Sequence, residues 1–250
     1  MKTERRMMLN VLPMIIGAGS LVAGTVGIYQ ATYAVRSQWL GPTDWHGRRD
    51  TRSVALTFDD GPAIETERIL DILAERKLHA SFFMIGKHVE RLPDIARRVA
   101  DHGHEIGNHS YSHCLLLFQS SRETQRQLKR AQTSISGVTG VHPRFARPPF
   151  GVRTRPYFAA TTSLGLRTVQ WDVAGFDWKN RSAERIASAV LRCVRAGSII
   201  LLHDGDSEGK RNRRQTVLAL PLIIDGLRSR GLQIVPLAEL LVKNKVKLPA

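Results

Sequence analysis

The sequence predicts an α/β chain of about seven parallel strands, closed or nearly closed into a barrel with helices outside and preceded by an N-terminal apolar helix. Three observations predict it. Short apolar runs alternate with helix-periodic segments from Ser53 onward, an order that implies parallel strands joined by right-handed crossovers. The 250 residues, 42% hydrophobic and 24% charged, suit a single α/β barrel and show no internal repeat or second domain. The residues able to do chemistry gather just after the apolar runs, which in a parallel barrel is the active-site face.

The elements follow in order. Ser53–Phe58 is a short apolar strand, and Ile64–Arg76 repeats apolar residues at helical spacing. Ala80–Ile85 reads as a buried strand, Val89–Ala100 as a helix closed by Gly103, and Glu105–Asn108 as a brief strand. Ser121–Gly137 is a polar-rich helix ending at glycine. Phe145–Arg147 is extended up to the Pro148-Pro149 break, and Arg155–Gly165 is helical. Arg167–Trp171 is a strand, Ser182–Arg195 a helix capped by Ser182, and Ser198–Leu202 the clearest buried strand. Arg213–Arg230 is a helix, Gln233–Val235 a strand and Leu237–Val242 a last short helix.

Ahead of these lies a different kind of segment. Lys2, Arg5 and Arg6 precede an uncharged span from Val11 to Ile28, long enough to cross a bilayer. Basic residues before it predict that the start stays in the cytoplasm and the remainder is exported. Residues 1–40 are thus expected to be a membrane anchor plus linker, with cleavage after Ala34 and a secreted or periplasmic product as the alternative. Residues 41–250 form the working domain, starting with a polar linker over Gly41–Asp50. The 37 Lys and Arg against 22 Asp and Glu leave a net charge of +15, suited to anionic surfaces, yet no nucleic-acid motif occurs. The basic cluster Lys210-Arg211-Asn212-Arg213-Arg214 accordingly reads as solvated surface. Two distant cysteines, Cys114 and Cys193, make no disulfide framework and read as small buried or half-buried side chains.

Asp59 and Asp60 end the first strand before a Gly61-Pro62 turn. Neighbours in a strand face opposite ways, so both can serve one site only if the chain bends there. Two readings stand: one carboxylate on a metal and one moving a proton, or a cap for the helix starting near Ile64. His109 and His113, four apart, would share a face of one helical turn, and Asp60 would complete a two-His-one-carboxylate site for Zn²⁺ or another divalent ion. Arg147 beside two prolines would be a buried cation in need of Asp59 or Asp177. His203 at the rim of the core is, alone, most simply a hydrogen-bonded core-edge histidine.

Taken in order, Thr57-Phe58-Asp59-Asp60, His109-Ser110-Tyr111-Ser112-His113, Arg147-Pro148-Pro149-Phe150-Gly151, Asp177-Trp178 and Leu201-Leu202-His203 closely resemble the motifs of polysaccharide deacetylases with a NodB-like domain. The resemblance runs from about Ser53 to Val235 and implies a distorted (β/α) barrel that removes acetyl groups from N-acetylglucosamine polymers such as peptidoglycan, chitin-like glycan or exopolysaccharide. It implies Asp60, His109 and His113 as ligands of Zn²⁺ (or Co²⁺ or Mn²⁺), Asp59 as base and His203 as acid. Arg147 would steady Asp59, Asp177 would orient His203, and Phe150, Trp178 and Leu201 would hold substrate. The other outcomes of such a resemblance are a catalytically silent carbohydrate-binding barrel, or a hydrolase of acetyl esters or cyclic amides. Two positions depart from the family pattern. Ala174 stands where an Asp is usual, with Asp172 displaced by two, and Phe150 stands where Tyr is common.

Overall fold

The computed structural model describes residues 25–242. Eight strands occur there: β1 (Ser53–Asp59), β2 (Ser81–Met84), β3 (Glu105–Asn108), β4 (Phe145–Ala146), β5 (Arg167–Thr168), β6 (Val173–Ala174), β7 (Ile199–His203) and β8 (Gln233–Ile234). All pair in parallel, in the order β5-β4-β3-β2-β1-β7-β6, while β8 joins the first residues of β1. The edge strands β5 and β6 follow one another in the chain, with four residues between them. Four residues and their flanking bonds span less than about 18 Å, so the sheet must curl until its edges approach. No ladder joins the two edges among the described residues, and the barrel is incomplete.

Helices α1 (Ile64–Glu75), α2 (Gly86–Arg91), α3 (Pro93–Asp101), α4 (Ser121–Thr139), α5 (Arg155–Ser163), α6 (Ala183–Cys193), α7 (Arg214–Ser229) and α8 (Leu237–Leu240) connect the strands. Alternation along β1 sorts its side chains. Val54, Leu56 and Phe58 pack into the large layer shared with the outer helices, whereas Ala55 belongs to a second cluster with Phe83, Phe145 and Ile199 inside the curl. Leu237, Leu240 and Leu241 at α8 complete that inner cluster. Thr57 and Asp59, on the same face as Ala55, are buried polar residues of β1.

Several boundaries differ from the sequence expectation. The helix expected over Val89–Ala100 is two helices, broken at Leu92 because Pro93 takes the first position of α3. Helix α4 runs past Gly137 to Gly140, whose left-handed φ of 71° ends it. Ser182 occupies the N-cap of α6 without a side-chain cap bond. The expected strand Arg167–Trp171 stops at Thr168, and the chain re-enters the sheet at β6 on the opposite edge. Cys114 is half-buried and Cys193 exposed, and both are free.

The polar segment at the start of the domain, expected to be a linker, pairs with the sheet at two points. Asp44 pairs with the β5 edge beside Val169, and His46 bridges to Ser198 at the start of β7, so residues 44–46 lie across the open side of the curl. Residues 25–32 are helical. The buried guanidinium of Arg153 donates to the carbonyls of Thr32, Ala34, Val35 and Ser37 just beyond that helix. The expected anchor falls mostly on residues 1–24, outside the described residues. Among the described residues no helix is long and apolar enough to cross a membrane.

Because the Arg153 guanidinium ties four carbonyls of this segment to the domain, Arg153→Ala should lower unfolding stability by about 2–4 kcal/mol. It should also open a protease cut between Thr32 and Ser37. An unchanged urea midpoint with no new cut would show that the segment docks without this side chain.

Candidate active site

β1 carries its two carboxylates to one place by an unexpected device. Asp60 itself turns the chain, with a left-handed φ of 74°. The Gly61–Pro62 bond is cis. Gly61 is needed for room: a Cβ there would lie 2.1 Å from Asp204 Oδ2. Gly205 is likewise pressed on the Asp60 carbonyl, where a Cβ would come within 2.5 Å. His88 Nδ1 donates to that same carbonyl at 2.9 Å and holds the turn from the other side. The helix-cap reading of the aspartates fails. The N-cap of α1 is Ala63, and its N–H donates to Thr66 Oγ1.

His109 and His113 meet Asp60 without a helix. Residues 109–113 form an irregular loop in which Ser110 and His113 both have positive φ, of 64° and 58°. Backbone conformations of this rarity concentrate where surrounding structure holds a functional geometry. Ser110 Oγ accepts the His113 N–H and Asn108 Oδ1 accepts the Ser110 N–H, which fixes the loop. Asp60 Oδ1 lies 3.4 Å from His109 Nε2 and 3.2 Å from His113 Nε2. All three donor atoms lie within 4.8 Å of one another. Asp60 Oδ1 is buried without a hydrogen-bond partner among the described residues, an orphaned anion that a cation would satisfy. His109 Nδ1 donates to the Arg147 carbonyl at 2.8 Å, leaving the Nε2 lone pair for a metal. Burial opposes ionisation of Asp60, yet His109, His113 and His203 outweigh it and hold the carboxyl below its usual range. Burial pushes His113 down to about 4, so it is neutral at neutral pH as a ligand must be. One carboxylate and two imidazoles fit a divalent ion such as Zn²⁺ and leave positions open.

Four more of the predicted residues form two ion pairs behind this cluster, Arg147 with Asp59 and His203 with Asp177. Arg147 is fully buried, donating from Nη1 to Asp59 Oδ1 at 2.7 Å and to Thr57 Oγ1 at 2.8 Å. Its other nitrogens reach the carbonyls of Val169 and Gln170, and its guanidinium lies over Phe83 at 4.1 Å. Of the two acids open to Arg147 in the sequence, the partner is Asp59. Asp177 pairs with His203: Oδ1 accepts from Nδ1 at 2.9 Å, and Oδ2 accepts the His203 N–H and the Thr216 hydroxyl. Burial would lower the His203 pKa, but Asp177 beside it, with Asp60 and Asp59 beyond, raises it to about 9. The displaced Asp172 does structural work. It binds Arg49, Ser198 and the Ile199 N–H at the start of β7, while Ala174 lies within β6.

These groups open into a pocket of about 650 Å³. Of the ten predicted residues, Asp59, Asp60, His109, His113, Phe150, Trp178, Leu201 and His203 line it, and Arg147 and Asp177 stand behind. Phe150 is exposed, has a φ of 57°, and sets its ring edge-on to His113 at 4.6 Å. Trp178 packs edge-on to His203 at 5.3 Å. Sequence reasoning missed Trp171, Gly151 and the loop from Asp206 to Arg213, all of which line the pocket. The basic cluster expected to be plain surface therefore faces the site through Lys210, Arg211 and Arg213.

Residues 46–169 match the polysaccharide deacetylase family profile. A chitooligosaccharide deacetylase of Bradyrhizobium sp. (strain ANU 289) is 39% identical over 199 residues, covering 76% of this chain and 91% of that protein. The chain belongs to the polysaccharide deacetylase family. The structure of the Bc1960 peptidoglycan N-acetylglucosamine deacetylase superposes on this deacetylase with a TM-score of 0.74 at 35% identity, covering 80% of this chain and 92% of that one. A CE4 family pseudoenzyme from Bacillus anthracis superposes with the same TM-score at 28% identity, covering 80% and 69% of the two chains. Through this membership the deacetylase is a hydrolase of the CE4 family.

The Asp177–His203 pair has a pH signature. His203 ordinarily titrates at 6.5, so its stabilising pairing is fully present below pH 6.5 and is lost as pH rises through about 9. The loss amounts to at most about 3 kcal/mol. Chelator-treated deacetylase should lose stability across that window in urea titrations, and Asp177→Asn should flatten the slope. A variant as steep as wild type would remove Asp177 as the cause.

Proposed function

We propose that this deacetylase is a metal-dependent hydrolase that removes N-acetyl groups from an N-acetylglucosamine-containing polysaccharide. The observation that carries the reading is the convergence of Asp60, His109 and His113 on one point, in a pocket that Asp59 and His203 also line. Asp60, His109 and His113 would hold Zn²⁺, with Co²⁺ or Mn²⁺ as alternatives. Such an ion polarises an acetamide carbonyl and lowers the pKa of a water.

Each neighbouring residue has a task that its surroundings support. Asp59, positioned by Arg147 and Thr57, takes the proton of the attacking water. His203 carries its proton on the nitrogen facing the pocket, because Nδ1–H is committed to Asp177, and gives it to the leaving amine. Amide cleavage needs that proton, since an unprotonated amine leaves poorly. The Phe150 backbone N–H is the proposed second donor to the developing oxyanion. Trp178 and Leu201 form the apolar wall for the acetyl methyl group. For location, we propose an N-terminal membrane anchor with the catalytic domain outside the cytoplasm. The basic start and the uncharged Val11–Ile28 span support this. The likeness to a pseudoenzyme makes a silent sugar-binding barrel the second reading, and the joint presence of Asp59, His203 and the three ligand residues argues against it.

Full-length protein should release acetate from chitooligosaccharides or peptidoglycan fragments. Chelation should abolish release, and Zn²⁺, Co²⁺ or Mn²⁺ should restore it. Asp60→Ala should lose the bound metal. Asp59→Asn should keep the metal and lose about 10²–10⁴-fold in kcat, the range for a general base. Absence of acetate from every acetylated glycan with metal supplied would leave only the silent reading, and wild-type rates in both variants would overturn the assigned roles.

A further inference from the structure

His109 and His113 are held at the site in different ways. His109 Nδ1 donates to the Arg147 carbonyl, which fixes the plane of its ring. His113 Nδ1 is buried and has no hydrogen-bond partner among the described residues. A metal-ligating imidazole ordinarily has its second nitrogen bonded, and that bond sets the ring orientation. His113 lacks it, so its backbone carries the aim of Nε2 toward Asp60, with the Phe150 ring as a lateral stop. That backbone has a φ of 58°, a conformation that only surrounding contacts can enforce.

Those contacts come from two helices. Gly86 and Lys87, at the start of α2, donate their N–H groups to the carbonyls of Ser110 and Tyr111 at 3.0 and 2.9 Å. Helix α4 holds the far end of the loop through one side chain. Gln127 is buried, and its Oε1 accepts the Ser112 N–H at 2.9 Å and the Ser112 hydroxyl at 3.1 Å. Its Nε2 donates to Glu123 Oε1 at 2.9 Å, one turn earlier on the helix. Glu123 is held in turn by Arg126, which donates to both of its oxygens at 2.6 and 2.7 Å. Turning the Gln127 amide over would set oxygen against oxygen at Glu123 and donor against donor at Ser112. The bonds therefore run in one direction, from Arg126 through Glu123 and Gln127 to the residue before His113. None of these four residues lines the pocket.

We propose that Gln127 is a positioning residue of the metal site: through Ser112 it fixes His113 for coordination and so sets the affinity for the divalent ion. The proposal rests on the metal-dependent reading above and extends it to a side chain of α4 outside the pocket. A backbone N–H that loses its acceptor turns to another one or to water. Without Gln127, Ser112 moves in this way, and His113 follows because its ring has no bond of its own to resist. His109, tied to Arg147, stays in place.

The test reads the Zn²⁺ affinity of metal-stripped full-length protein by competition with a chromophoric chelator, a measurement independent of turnover. Gln127→Met keeps the length of the side chain and removes its amide. It should weaken Zn²⁺ binding about tenfold, the lower end of what bonds supporting a metal ligand contribute. Ser112→Ala, which removes only the hydroxyl and leaves α4 intact, should weaken it about threefold. Glu123→Gln combined with Gln127→Glu exchanges the two groups, restoring an acceptor for Ser112 and a donor behind it. That exchange should bring the affinity back to within about threefold of wild type. A role confined to packing of α4 would instead shift the urea midpoint of metal-free protein and leave the exchanged variant no better than Gln127→Met. Wild-type affinity in both Gln127→Met and Ser112→Ala, or no recovery on exchange, would overturn the proposal. Wild-type protein that binds no Zn²⁺ would overturn the metal site itself, so the two failures are told apart.

Discussion

A buried carboxyl group needs a counter-charge or its proton, and the architecture of this protein follows from accommodating four such groups within one small volume. Asp59, Asp60, Asp177 and Asp204 are all buried around the carboxyl ends of β1 and β7. An isolated charge in such surroundings would be prohibitively unstable. Arg147 answers Asp59 and His203 answers Asp177. Asp204 is met differently: burial and repulsion from Asp60 and Asp59 raise its pKa to about 7, so its proton is retained into the neutral range. Asp60 Oδ1 and Asp204 Oδ1 both lack a hydrogen-bond partner among the described residues, but the Asp60 oxygen is the one aimed at the imidazole nitrogens of His109 and His113. That oxygen stands where a cation could sit.

The parallel sheet makes this arrangement achievable. Register aligns Asp59 with His203 across the β1–β7 ladder, so a carboxylate and an imidazole emerge side by side. Alternation turns Thr57 and Asp59 inward together, and Arg147 spans from the end of β4 to bind both. The guanidinium needs its other hydrogen bonds from the carbonyls of Val169 and Gln170, at the point where the chain leaves β5. The edge at which the barrel fails to close is thereby tied to the residue beside the proposed catalytic base. Breaking either ion pair would strand a buried charge, which is far more damaging than losing a surface pair.

Much of this was legible in the sequence where a physical pattern spans enough residues. Strands β1 and β7 and helices α6 and α7 stand near their expected limits because their apolar runs are long and sharply ended. β6 escaped because two residues carry no periodicity, and only their pairing with Ile200 and Leu201 defines them. The pairing of His109 with His113 was expected for a partly mistaken reason: four-residue spacing suggested a helical turn, whereas two positive-φ residues bend a loop to the same effect. The docked segment at Arg153 was invisible, since its bonds go to backbone carbonyls more than a hundred residues away. The loop beyond His203 was misread because a run of Lys and Arg looks alike whether it faces bulk water or a cavity. Asp206 is what turns it inward, and a lone Asp before a basic run gives no such signal.

The contact between Gly61 and Asp204 bears on how such a site can diverge. Any side chain at 61 meets the Asp204 carboxylate head-on, while Asp204 also bonds Thr66 at the start of α1. The two positions are therefore not independent loci. A lineage could enlarge residue 61 only after residue 204 had already shrunk, and the intermediate would have to survive with the Thr66 hydroxyl unpartnered. Mutational paths through the heart of the fold have an obligatory order, whereas exposed Arg211 on the pocket rim can change in a single step. Selection for new substrates has its accessible variation at the rim, with the reacting centre locked behind it.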